Sequence, residues 1–131
     1  MCIGSGVDVR TALDARLFLD SLVGNFVRSV RFGLDQAHGG ANAIQFNYLL
    51  RERAFRLDDN TGRIWVDEAR TREAVFALTA LILDIQERGD FARAREFMQQ
   101  FCRNTPELAR LMKRVEEIPI DIRLHFLNWN D

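Results

Sequence analysis

Histidine and cysteine are scarce in this chain of 131 residues, two of each, and that scarcity excludes much chemistry. His38 and His125 lie far apart and neither belongs to an HExxH-type pair, so a histidine-ligated zinc site lacks its parts. Cys2 and Cys102 have no neighbouring Cys or His at metal-ligand spacing and make no disulfide framework. Both read as reduced thiols, Cys102 packed and Cys2 loose at the terminus. No Gly-rich loop ends in Lys-Ser or Lys-Thr, and no GxSxG elbow is present, so phosphate cradling and nucleophile-elbow hydrolysis have no local support. Long apolar runs are missing as well. The greasiest stretch, Ala74 to Leu83, spans about ten residues and contains Thr79, too short to cross a bilayer. Met1 to Gly6 has neither the basic region nor the apolar core of a signal peptide, which makes the cytoplasm the expected address. A net charge of −1 gives no electrostatic reason to expect nucleic acid or an anionic membrane as partner.

What is present is ordinary globular material, 47% hydrophobic and 28% charged. One helical domain over 1–131 is expected, with residues 1–9 disordered. Arginines interleave with acids, as in Arg51-Glu52-Arg53 and Asp67-Glu68-Ala69-Arg70, and read as a solvated mixed-charge face. Apolar residues follow Asp8, a candidate N-cap, at helical steps: Phe18, Leu22, Phe26, Val30, Leu34, Ala37, Ala41, Ile44 and Tyr48. The phase persists across Gly39-Gly40, which predicts one long helix over about 12–52. Two short β-type runs around Asp58-Asp59-Asn60-Thr61-Gly62 predict a hairpin near 55–66. Asp67 caps a helix over about 68–88 with Val75, Leu78, Ile82 and Ile85 on one face. Gly89 stops it. Asp90 caps a helix over about 91–103 with Phe91, Ala94, Met98 and Phe101 inward. Thr105-Pro106 begins a short helix to about Glu116. Alternation from Ile118 to Phe126 then suggests an extended strap, restricted to an edge by Pro119. The fold class is mainly α: a long amino-terminal helix, a β-hairpin, a helical hairpin, a short helix and an extended tail.

One segment stands apart. On a continuous helix, Arg31, Asp35, His38, Asn42 and Gln45 would share one face, beside two glycines that expose backbone. Either a ligand approaches there, or Gly39-Gly40 lets another helix pack tightly while His38 bonds a carbonyl.

The run Gln36-Ala37-His38-x-x-Ala41, with the helix to Leu50, resembles a segment of the dipeptidyl-peptidase III family of zinc metallopeptidases. The likeness continues through the hairpin at Arg53 to Val66, the Val66-Asp67 helix start, the Gly89-Asp90 break and Ile118-Pro119-Ile120-Asp121-Ile122, the last as in bacterial members, some of them in nudix-containing proteins. The family holds zinc with an HExxxH helix and a downstream EExRxD-like motif, and this sequence has neither. The resemblance therefore implies the carboxy-terminal part of the helical zinc lobe, beyond both metal motifs. It also implies that the chain is a segment of a larger protein. This chain then carries no zinc of its own and is expected to be inactive alone as a peptidase. Its partners would be the missing amino-terminal catalytic region, another protein, or itself through under-buried Leu13, Leu17, Phe18 and Leu22. The family's cleft-facing histidine corresponds to His38, which would help hold the peptide or the developing oxyanion. Eukaryotic members carry an arginine four residues later, where this chain has Asn42, so the resemblance places substrate binding on His38 and Asn42. The competing reading is a stand-alone interaction module that uses the helix pair 68–88 and 91–103.

Overall fold

The computed structural model describes residues 9–58 and 60–116, with side chains from residue 17 onward. In chain order it contains α1 (Val9–Val30), α2 (Ala37–Arg51), β1 (Phe55–Leu57), β2 (Ile64–Val66), α3 (Glu68–Arg88), α4 (Phe91–Phe101) and α5 (Pro106–Glu116). The mainly helical class with one small antiparallel hairpin is as expected. The expectations for residues 1 to 8, including Cys2, for the side chain of Leu13 and for the alternating tail with His125 lie outside the described residues. No described helix is long and apolar enough to cross a membrane.

The single helix over 12–52 is incorrect: the chain breaks at residues 31–36, ahead of the glycine pair. Phe32 N–H donates to the Ser29 carbonyl at 3.2 Å and Gly33 N–H to the Val30 carbonyl at 3.0 Å, closing α1 with a turn. Gly33 takes φ +104°, a left-handed conformation that glycine adopts without a Cβ clash. The chain then doubles back. Gly39 lies against Ser29 and Asn42 against Asn25, so advancing along α2 means retreating along α1, and the two helices run antiparallel. The apolar phase misled because Leu34 falls on the stripe by spacing while sitting in the turn, and Ala37 and Ala41 are exposed. The buried positions of α2 lie instead on nearly every side, from Gly39 through Leu49. A helix apolar all round is a central helix, and α2 packs against α1, β1, α3, α4 and α5.

Aromatic side chains fill the core around α2. Phe55 sits between Phe26 and Phe46, with ring centroids 6.1 and 6.2 Å apart, and Phe101 packs on Tyr48 at 5.4 Å. Register pairs Phe55 with Val66, Arg56 with Trp65 and Leu57 with Ile64. The hairpin tip is an Asx turn. Asp58 accepts from the N–H groups of Thr61 at 2.9 Å and Asn60 at 2.8 Å, and these bonds hold its carboxyl below the ordinary range.

The capping residues act as read. Asp67 accepts from Arg70 N–H at 3.0 Å, Asp90 accepts from Arg93 N–H at 2.9 Å, and Gly89 adopts φ +60° between α3 and α4. Four inward assignments need correction. Phe91 is 84% exposed, because Ala94, Phe97 and Phe101 form the stripe of α4 that faces the core. Val75, Ile82 and Met98 are also exposed, along the mouth of a groove between helices.

Asp84 ties this corner together, accepting from Arg88 Nε at 2.6 Å and from Arg93 Nη1 at 2.5 Å; those bonds hold its carboxyl below the ordinary value of 3.8. A depressed carboxylate stabilises the fold above its unfolded pKa, and the stabilisation is lost as pH falls through the folded value. Urea midpoints measured across pH should therefore hold down to about 3.8 and decline below it. The Asp84→Asn variant should show a shallower decline. An equal decline in that variant would assign the acid sensitivity elsewhere.

Candidate functional site

The expected polar strip does not form, because Arg31 and Asp35 belong to the turn rather than to a helix. The members that remain on α2 still share one side of that helix but differ in exposure. His38 lies in the first turn and its side chain is exposed. Asn42 is buried, donating through Nδ2 to the His38 carbonyl at 2.8 Å and accepting from Asn25 Nδ2 at 3.5 Å. It locks α1 to α2 and backs the residue before it on that face. Gln45 is half-buried and leans on the Ala41 carbonyl at 3.4 Å.

Backbone packing explains the two glycines. A Cβ on Gly39 would overlap the carbonyl oxygen of Gly33 and stand 3.3 Å from the Ser29 carbonyl oxygen. A Cβ on Gly40 would meet the Leu34 carbonyl oxygen at 3.0 Å and Cys102 Sγ at 3.1 Å. The close approach is by the chain's own turn, which presses onto the start of α2 and fixes where His38 emerges. Gln36, the N-cap, is extended and its side chain makes no capping bond. Cys102, half-buried, rests 3.9 Å from the Leu34 carbonyl.

Two further concavities were not anticipated from sequence. One is an apolar groove of about 390 Å³ between α2, α3 and α4, lined by Ile44, Val75, Leu78, Ile82, Phe97 and Met98 among others. Helical spacing marked most of these as core, and spacing alone does not distinguish a filled seam from an open one. The other concavity, of about 740 Å³, lies at the opposite end of α2, where Arg53, Arg56, Arg70 and Arg110 converge. Those arginines are spread along the chain and each has acids nearby in sequence, so no local pattern marks them. Leu17 and Phe18 on α1 are 57% and 66% exposed, while Leu22 packs partly against the core.

No known family profile matches the chain. It is 37% identical over 108 residues to Nudix hydrolase 3 of Arabidopsis thaliana, covering 81% of this chain and 14% of that protein. In structure it resembles dipeptidyl-peptidase III from Caldithrix abyssi, with a TM-score of 0.73 and 31% identity over 80% of this chain and 20% of the other. It also resembles dipeptidyl-peptidase III from Corallococcus sp. strain EGB, with a TM-score of 0.70 and 29% identity over 77% of this chain and 19% of the other. The chain thus spans about a fifth of those two peptidases and about a seventh of the plant protein.

Proposed function

We propose that this chain is a carboxy-terminal segment of the helical lobe of a dipeptidyl-peptidase III-like zinc peptidase, serving as scaffold and as one wall of the substrate cleft. The observation that carries the reading is the agreement of its backbone with two solved peptidases at TM-scores of 0.73 and 0.70. His38, exposed at the start of α2, is the residue offered to substrate. Asn42 positions it from behind by bonding its carbonyl and bracing α2 on α1. The described residues do not fit a zinc centre of their own: no group of three or more His, Cys, Asp or Glu is placed among them to hold a metal. Metal chemistry belongs to the region outside this chain. Leu17 and Phe18 would face that region, since exposed neighbouring apolar side chains mark a docking surface. The interaction-module reading has no comparable support.

A chimera tests this. Residues of this chain replace the matching fifth of the Caldithrix abyssi protein, and zinc content and dipeptide release are measured. The chimera should retain zinc and turnover. His38→Ala within it should lower kcat/KM by about a hundredfold with zinc unchanged, the scale of removing one oriented donor at a developing oxyanion. Leu17→Glu with Phe18→Glu should abolish assembly. A soluble chimera that binds no zinc would sink the scaffold reading, and an active chimera indifferent to His38→Ala would remove that residue's role.

A further inference from the structure

The arginine-lined groove at the far end of α2 has no part in the reading above. Its walls are the end of α2, β1, the start of α3 and α5. Among the described residues, two carboxylates, Asp67 and Glu107, line it with Arg53, Arg56, Arg70 and Arg110. Arg70 reaches Asp67 at 3.6 Å and Arg110 reaches Glu107 at 3.8 Å, both exposed pairs between near neighbours in sequence. No ion pair among the described residues engages Arg53 or Arg56. Half-buried Leu50 and Leu57 give it an apolar floor, over the buried Phe55. Trp65, directly across the hairpin from Arg56, is 57% exposed at the adjoining rim.

Arg53 carries a second observation. It has φ +57°, the one described non-glycine residue with a positive φ. The reason is the end of α2. Ala54 N–H donates to the Leu49 carbonyl at 3.0 Å and Arg53 N–H to the Leu50 carbonyl at 3.1 Å, the paired bonds of a Schellman cap. That position favours glycine, because a left-handed conformation brings Cβ against backbone. An arginine there makes the cap less stable than glycine would. It also extends a guanidinium into the groove.

We propose that this groove docks an acidic polypeptide segment. Guanidinium forks match carboxylates in bidentate geometry, and arginine with tryptophan is the composition of interface hot spots. The apolar floor suits aliphatic side chains between the acids. A nucleic acid fits less well, since Asp67, Glu107 and the adjoining Asp58 interrupt any continuous track for phosphates. Arg53 is then a binding residue held at the expense of the helix cap, a trade between stability and function.

The probe is a fluorescein-labelled oligo-glutamate of about ten residues, titrated by anisotropy in about 50 mM salt, where charge attraction is little screened. Arg53→Gly should melt at a higher temperature than the wild type yet bind about five- to tenfold more weakly, a result misfolding does not give. Arg56→Ala with Arg70→Ala should weaken binding further, while Arg95→Ala, on exposed α4 outside the groove, should leave it unchanged. Unaltered affinity in Arg53→Gly overturns the proposal. So does an equal loss in Arg95→Ala, which would mean diffuse charge attraction. An oligothymidylate of equal charge binding more tightly through the same arginines would replace the polypeptide with nucleic acid, and full displacement by inorganic phosphate would reduce the site to a phosphate one.

Discussion

Replacing Gly39 with alanine should destabilise the fold by about 3 kcal/mol or somewhat more, a large share of the roughly 5–15 kcal/mol that holds a domain together. The added methyl would occupy the space of the Gly33 carbonyl oxygen, and that atom is backbone in a turn already fixed by its own hydrogen bonds. Either the turn opens or α2 slides away from α1, and both uncover Phe26 and Val30. Gly40→Ala should be milder, because its Cβ would press on the Leu34 carbonyl at 3.0 Å and on a thiol that can turn aside. Gly24→Ala serves as the opposite control. Gly24 is exposed inside α1 with nothing within 4 Å of its Cβ position, so alanine should stabilise by up to about 1 kcal/mol. Thermal melts should order the proteins Gly24→Ala, wild type, Gly40→Ala and Gly39→Ala, from most to least stable. A Gly39→Ala protein that melts with the wild type would mean that the turn does not rest on α2 as described.

That ordering separates what was readable in the sequence from what was not. The caps at Asp67 and Asp90, the stop at Gly89, the hairpin around Asp58 to Gly62 and the start at Pro106 are local signals, and each appears where local chemistry put it. The α1–α2 turn is not local in this sense. Gly33 is one glycine among several, and six connecting residues happened to preserve the spacing of three and four on both sides. What decides the turn is the tertiary gain from folding α2 back onto α1, and hydrophobic phase is blind to that. The polar strip from Arg31 to Gln45 fails for the same reason, since Arg31 and Asp35 lie in that turn. Arg31, Asp35 and His38 are exposed, and buried Asn42 joins the contact between α1 and α2. The arginine groove was hidden for another reason. Arg53, Arg56, Arg70 and Arg110 have acids nearby in sequence that lead to a mixed-charge reading, and only the meeting of α2, β1, α3 and α5 brings the four around one groove.

Asn47→Leu should be the most damaging polar substitution in the core, by about 3–5 kcal/mol, because it strands three buried or half-buried partners at once. Asn47 Nδ2 donates to the Phe101 carbonyl at 2.8 Å and to the Arg103 carbonyl at 2.9 Å, while its Oδ1 accepts from Thr105 Oγ1 at 2.9 Å. Thr105 in turn accepts from Leu108 N–H at 3.3 Å, which caps α5. One amide on the central helix therefore satisfies the end of α4 and fixes the start of α5. Leucine has a similar volume, so the loss measures unsatisfied polar groups rather than a cavity. Asn47→Asp should be at least as harmful: the carboxylate keeps an acceptor for Thr105, but it brings negative charge against two carbonyls and has no donor for them. Thr105→Ala removes one arm only and should cost about 1 kcal/mol, the usual loss of a helix cap. Combined with Asn47→Leu, it should add somewhat less than its separate effect, because the bond between the two side chains is already gone while the cap on Leu108 is still lost. Urea denaturation of the two single variants and the double variant measures this coupling directly. Full additivity would mean that Thr105 and Asn47 act independently. The functional consequence follows from geometry, since α5 carries Arg110 and Glu107 into the groove that Arg53 and Arg56 approach from the other side. Thr105→Ala, folded but loosened at the α5 cap, should therefore weaken oligo-glutamate binding by about two- to threefold, the effect of misplacing a guanidinium without removing it.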